Sequence, residues 1–323
     1  MKESEVPTDV TADIVRVFVA ATPAEWLPMK VLEFSICENT RLSVQLSAIY
    51  THQRSIPVPR DAINKARTPF SFQRFLIPEL CARNGKAIYM DADMQVFHDI
   101  TALWNRPFGE AVLQTVGSAA GARRSQFSVM LMDCSRLGWN IDDIVSQLDK
   151  GEINYQELMY DMKLASPISY SIPETWNSLE RFVPGETCLL HYTDMNTQPW
   201  VSLDNPNEVL WVSCLRRALD AGFITLADLT REIAQGHVRP SLLSQVCAVS
   251  MEAWKPAFSD RLRDAQFTPP FYSIAASRWG ALRGGRVKAV ARGTVNTSAF
   301  NAAEGAPLML LSAPLRSTQQ LDL

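Results

Sequence analysis

Two carboxylates one residue apart, Asp91 and Asp93 in "AIYMDADMQVF", are the groups best placed to do chemistry in this 323-residue chain. They end an apolar run at residues 86–90 that reads as a buried strand. In open α/β sheets, ligands bind beyond the carboxyl ends of such strands. Along an extended chain side chains repeat direction every second residue, so both acids can reach one cation. Two aspartates so close repel unless a cation or protons relieve them. Hard oxygen ligands suit Mg2+ or Mn2+, each of which keeps positions open for phosphate oxygens. Read alone, such a triplet also serves as a helix cap. A third group is His191 in "LLHYTDMNTQPW", which ends another apolar strand and precedes a polar loop with Pro199-Trp200, able to close over a ligand. A lone histidine there reads as a core residue satisfied by hydrogen bonds. Together with Asp91 and Asp93 it makes a mixed set that favours Mn2+, since imidazole suits transition metals.

These groups need strands to carry them. Residues 14–20 form a short β-branched run, read as a buried strand. A turn at Thr22-Pro23 follows, with Thr22 as N-cap and Pro23 at the first helical position. Leu27, Val31 and Phe34 then recur at helical spacing, which predicts an amphipathic helix over residues 24–38. Residues 42–50 form the next strand, so the order is βαβ and the sheet parallel at this point. Residues 51–69 read as a loop. A helix is predicted over residues 69–83, ended by Asn84-Gly85. On it Arg74 lies about 200° around from Phe72, away from the apolar stripe. Further strands are predicted at residues 110–116, 127–134 and 186–193, and helices at 141–148 and 155–163. After residue 204 the pattern turns helical, in "EVLWVSCLRRALDAG" and "TLADLTREIAQG", both ending at glycine. Three parts result: a flexible leader at 1–12, an α/β domain at 13–204, and a mainly helical region at 205–323. The last forty or so residues show weak periodicity.

Composition removes several classes. A net charge of −3 gives no basic footprint for nucleic acid, and Arg123-Arg124 and Arg216-Arg217 read as solvated faces. The six cysteines, Cys37, Cys81, Cys134, Cys188, Cys214 and Cys247, form no CxxC pair, so they read as reduced core residues of a cytoplasmic protein. No apolar run approaches the ~18 residues of a membrane span. The first strand is not followed by GxGxxG, which argues against a nicotinamide oxidoreductase.

The ordered set of motifs resembles the family 8 retaining glycosyltransferases, the group that includes glycogenin and bacterial lipopolysaccharide galactosyltransferases. "VRVFVAATPAEWLPMKVLEFSI" is similar to the family's nucleotide-binding start. "TPFSFQRFLIPELCARNGKAIYMDADMQVFHDITALW" is similar to its Arg-x-x-x-Pro helix, DxD strand and following turn. "FSVMLMDCSRL" resembles the sugar-pocket strand, "YQELM" an Asp-Gln-Asp helix start, and "HYTDMNTQPW" the His-x-x-Gly-x-x-Lys-Pro-Trp loop. The resemblance spans about residues 14–200. It implies a GT-A fold, a Rossmann-like mixed sheet flanked by helices with a C-terminal helical extension.

The resemblance also implies roles. Asp91, Asp93 and His191 would hold the metal, with Asp91 and Ala92 beside the donor. Ala20, Ala21 and Thr22 would line the nucleotide site, and Arg74 would contact donor sugar or diphosphate. Gln156 and Glu157 would line the sugar pocket near the reacting carbon. Trp176-Asn177 matches a structural "WN" pair. Three departures stand out: Gln198 replaces the diphosphate-binding lysine, with Asp194 for glycine in a longer loop; Ser128-Val129-Met130 replaces Asn-Ala-Gly; and Tyr155 replaces the first aspartate of the Asp-Gln-Asp set. The expected activity is metal-dependent transfer of a sugar from a nucleotide diphosphate donor, a UDP-sugar, to a hydroxyl of a glycan, with retention. A nucleotide-sugar hydrolase or pyrophosphatase with the same metal site, and a non-catalytic nucleotide- or carbohydrate-binding protein, are the alternatives.

Overall fold

The computed structural model describes residues 14–117, 127–250 and 253–272. The leader at 1–12, the Arg123-Arg124 pair and most of the weakly periodic C-terminal stretch lie outside these residues. Within them the chain is mixed α/β, with a mixed sheet flanked by helices and a helical C-terminal part.

Strand β1 (Val15–Ala20), helix α1 (Trp26–Asn39) and strand β2 (Val44–Ala48) form the predicted βαβ unit, and β1 and β2 pair in parallel. Helix α2 is a single turn (Ile77–Leu80) preceded by a 3-10 turn at Gln73–Leu76. The continuous helix predicted over 69–83 is therefore absent. Pro78, near the start of α2, has no N–H to donate to the preceding turn, which suits a helix start and not a helix interior. Strands β3 (Lys86–Asp91), β4 (Met94–Val96), β5 (Leu113–Val116) and β6 (Val129–Asp133) follow, with α3 (Thr101–Trp104) between β4 and β5. Next come α4 (Ile141–Lys150), α5 (Tyr155–Met159), β7 (Ile168–Ile172), β8 (Ser178–Leu179) and β9 (Leu189–His191). Helix α5 stops four residues short of its predicted end. Helices α6 (Glu208–Asp220), α7 (Leu226–Ala234), α8 (Ser241–Val246) and α9 (Phe258–Gln266) complete the described chain.

The large sheet has the order β2-β1-β3-β6-β5-β7; β1 and β3 are parallel, while β6 runs antiparallel to both β3 and β5. Alternation along its strands makes two buried faces. Phe18, Ala20, Ala87 and Tyr89 point to one apolar cluster, and Val17, Val19, Ile88 and Met90 to the other. Both faces are covered, which is why β1 from Val17 and β3 between Ala87 and Met90 read as continuous apolar runs. A small second sheet, β4-β9-β8, sits beside the carboxyl end of β3.

Helix α1 is not amphipathic in the sense predicted. Met29, Leu32 and Ile36 pack in a cluster with the sheet, while Leu27 and Val31 share another with α6, α7 and α8. A helix buried on two sides loses its single apolar stripe. The cysteines also depart from expectation. All six are free, and Cys81, Cys134 and Cys214 are buried, but Cys37 and Cys247 are exposed. Cys37 sits on the open side of α1, and Cys247 follows the last turn of α8.

Ser35 couples the helix to the small sheet. Its buried hydroxyl donates to Leu32 O at 2.7 Å and accepts from Val96 N in β4 at 3.0 Å. Removing it strands a buried backbone N–H. We expect Ser35→Ala to lower stability by about 1–3 kcal/mol in urea unfolding, with the m-value unchanged.

Candidate metal centre

Asp91 closes β3, and Asp93 lies in the turn between β3 and β4. The register of the two sheets supplies the third residue: β4 pairs antiparallel with β9, Met94 opposite His191. A further bond, from Tyr192 N to Asp93 O at 2.9 Å, fastens the turn. One ligand atom each from Asp91, Asp93 and His191 lies within 4.8 Å of the others. The three residues nominated from sequence thus converge, although a hundred residues of chain separate the acids from the imidazole.

Each is oriented by a partner. His191 is buried, and its Nδ1 is 2.9 Å from the side-chain oxygen of Asn177. Donation from Nδ1–H to that oxygen leaves Nε2, 3.1 Å from Asp93 Oδ1, as the nitrogen that faces the acids. Asp91 Oδ1 accepts from the hydroxyl of Tyr89 at 2.5 Å. Asp93 Oδ2 accepts from Gln198 Nε2 at 3.0 Å, and the same amide nitrogen donates to Tyr192 O at 2.9 Å. Both amide hydrogens of Gln198 are therefore committed to the protein, and it clamps the loop to Asp93.

The electrostatics follow from crowding. Burial pushes the His191 proton off, but Asp93 first, then Asp91 and Glu180, outweigh it and hold the imidazole above its usual range. Burial pushes the Tyr89 phenol well up. Glu25 at the start of α1 is also raised well above the ordinary carboxyl range, chiefly by burial and then by Asp93 and Asp91. Arg74 is the cation of the cluster. It is buried, not on the surface, with its guanidinium over the ring of Tyr89 and Nη2 3.7 Å from Asp91 Oδ1. Its Nη1 donates to Phe127 O at 2.9 Å and its Nε to Ser71 O at 3.2 Å.

The strand-to-helix turn after β1 borders this site. Ala20 pairs with Asp91 across β1 and β3. Ala21 is held by Gln73, whose side chain accepts from Ala21 N at 3.0 Å and donates to Ala21 O at 2.8 Å. Thr22 N donates to the Glu25 carboxylate at 2.8 Å, while the buried Thr22 hydroxyl has no partner among the described residues. Ala92, between the two acids, is buried. The helix start at Tyr155–Met159 is arranged differently. Gln156 is exposed, and Glu157 is tied to Asn154 N at 3.0 Å and to Lys163, which holds its carboxyl below the usual range. No contact among the described residues joins Gln156 or Glu157 to the acids.

Several residues around the centre were not nominated from sequence. Tyr89 stands two residues before Asp91 on the same side of the strand, a signal available from alternation. Glu25 carries the Thr-x-x-Glu capping signature with Thr22. Gln73, Glu180 and His237 carry no local signal.

Residues 33–141 match the family described as Glycosyl transferase family 8. This segment holds Arg74, Asp91 and Asp93; His191 lies beyond it. No curated protein matches the chain in sequence. Among solved structures, the glycosyltransferase GlyE of Streptococcus pneumoniae TIGR4 is similar at 18% identity and TM-score 0.44, over 64% of each chain, so this chain spans 64% of that protein's length. The galactosyltransferase LgtC, solved with donor and acceptor sugar analogs, is similar at 15% identity and TM-score 0.45, over 65% of this chain and 96% of its own. Mouse xyloside xylosyltransferase 1 is similar at 10% identity and TM-score 0.36, over 56% and 98%. The matched segment, less than half of the chain, carries Arg74 and the paired aspartates and is similar to the family 8 glycosyl transferases.

Proposed function

We propose that the protein is a metal-dependent glycosyltransferase of GT-A fold that moves a sugar from a nucleoside diphosphate donor, a UDP-sugar, to a hydroxyl of a glycan. The single observation that carries this reading is the meeting of Asp91, Asp93 and His191 around one point. Two carboxylates and an imidazole whose free nitrogen faces them fit a divalent cation, and the imidazole favours Mn2+ over Mg2+. When bound, such an ion supplies Lewis-acid stabilisation of the charge on the departing diphosphate.

The remaining work falls to the chain. Arg74, buried and pinned to Phe127 O and Ser71 O, brings a fixed positive charge beside Asp91. Held by two backbone carbonyls, that charge is in place before negative charge develops. The unpartnered Thr22 hydroxyl and the Gln73-braced Ala20-Ala21 backbone offer the donor nucleotide a wall. The acceptor hydroxyl attacks the anomeric carbon on the face the diphosphate leaves, and its proton passes to the released phosphate oxygen. The loop at residues 191–200 limits water access. Gln156 and Glu157 remain our candidates for the sugar-facing wall.

Nucleotide sugars incubated with the protein and Mn2+, with release of nucleoside diphosphate followed, should single out a UDP-sugar. Binding of UDP without turnover of any donor would favour a binding protein, and sugar release without an acceptor a hydrolase. Asp93→Asn should abolish Mn2+-dependent UDP binding in calorimetry while the protein stays folded; normal binding and turnover would remove the site assignment.

A second expectation concerns protons. Without a cation His191 holds its proton above the ordinary pH 6.5, so the proton's contribution to stability is present below that pH and lost as pH rises through the raised value. A cation must displace this proton. Mn2+ affinity should therefore rise with pH through and above pH 6.5, with proton uptake by buffer visible when titrations are repeated in buffers of different ionisation enthalpy. His191→Ala should remove that buffer dependence.

A further inference from the structure

The centre is short of positive charge. Asp91 and Asp93 crowd it, Arg74 is its one permanently charged cation among the described residues, and the amide of Gln198 is consumed by Asp93 and Tyr192. A diphosphate that leaves with extra negative charge needs a further donor on the Gln198 side.

One side chain there has a free nitrogen. His237 follows the last turn of α7, where Gly236 takes a positive φ of 72°. Its Nδ1 lies 2.8 Å from Glu232 Oε2, and its backbone N donates to Glu232 O at 3.0 Å. Glu232 is only 2% exposed and is braced by Arg231 at 3.2 Å. The imidazole is thus fixed at one edge, and Nε2 is left without a partner among the described residues.

The segment that carries it runs beside the loop of the centre. Arg239 N donates to Trp200 O at 2.8 Å, and its Nε donates to Pro199 O at 2.9 Å. Residues 237–239 therefore lie against residues 198–200, and His237 lines one small cavity together with Glu25 and Gln198. Gln198 touches Asp93, so this cavity adjoins the centre.

We propose that His237, held by Glu232, is a catalytic residue that donates from Nε2 to the diphosphate of the nucleotide donor. The inference rests on the transferase reading above. In the protonated ring both nitrogens donate, one to the Glu232 carboxylate and the other to a phosphate oxygen. As the bond from the anomeric carbon to the phosphate oxygen breaks, the electron pair stays on that oxygen. The acceptor oxygen bonds to carbon, and its proton goes to the phosphate. His237 keeps its own proton and bonds to the charge that appears.

The test is calorimetry of the full chain with Mn2+ and either UDP or UMP. His237→Asn keeps a group able to meet Glu232 and lacks anything at the Nε2 position. We expect UDP affinity to fall about 10-fold or more, the loss of one hydrogen bond to a charged group, with UMP affinity and the thermal midpoint little changed. His237→Gln, whose amide nitrogen reaches the Nε2 position, should recover part of the UDP affinity. With a competent donor, His237→Asn should lower kcat by more than it raises KM. Unchanged UDP affinity in folded His237→Asn, or equal loss of UDP and UMP, overturns the assignment; if His237→Asn does not fold, His237→Gln with no better UDP-over-UMP preference than His237→Ala does the same. Wild-type protein that binds no nucleoside diphosphate with any divalent cation sinks the parent reading as well, and so the two failures are told apart.

Discussion

The structure is organised around a repulsion. Asp91 and Asp93 are brought to within ligand distance of each other at the end of a strand whose other residues are apolar and buried. At such a separation two unit charges repel by roughly 3–4 kcal/mol at an effective dielectric of 20. The surroundings answer with donors on each acid: Tyr89 on Asp91, Gln198 and His191 on Asp93, and Arg74 beside Asp91. None of these donors neutralises both acids at once. A divalent ion held by all three side chains would do so in one step, as the proposed function requires.

Placing the acids correctly requires two sheets. β3 carries Asp91 out of the large sheet, and the turn at Ala92-Asp93 passes the chain into the small one. There β9 returns from far along the chain to set His191 opposite Met94. A one-residue slip in that short pairing would turn His191 to the other face. Ser35 bonding to Val96, Tyr192 bonding to Asp93 O and Asn177 bonding to the imidazole all restrict such a slip. The candidate metal site and the fold's register are thus the same constraint seen from two scales.

What could be read from the sequence divides along that line. β1, α1 and β2 were legible because strand and helix periods are local properties of the chain. The DxD triplet was legible because both acids follow one apolar run. Helical spacing puts Arg74 on the side away from the apolar stripe, yet the segment is a 3-10 turn and a single α-turn, and the guanidinium is buried over Tyr89. Helical spacing alone does not separate these two windings. Helix α1 reads as one-sided from sequence because nothing in its own residues reveals that α6 and α7 cover the second face. Glu157 shows the same limit. Its place three residues after Asn154 is a capping signature as much as a catalytic one, and the backbone bond forms. Long-range pairings such as Gln73 with Ala21, or Asn177 with His191, leave no trace in local spacing.

The helical part after residue 204 has a direct physical hold on the centre. Arg239 is 1% exposed, and burial pulls its guanidinium down to about 10, still charged at neutral pH. A buried cation is tolerated only when its donors are met. Here Glu208 in α6, Ser241 and Gln245 in α8 and the carbonyl of Pro199 meet them. The network therefore spans two C-terminal helices and the loop whose Gln198 clamps Asp93. Trp200 and Trp211 pack against one another at 5.3 Å in the same cluster as Leu27 of α1. Displacing α6 or α8 would leave Glu208 or Arg239 buried and unpaired, so the loop cannot relax independently of them. The geometry at Asp93 is in this way set by residues nearly 150 positions later in the chain.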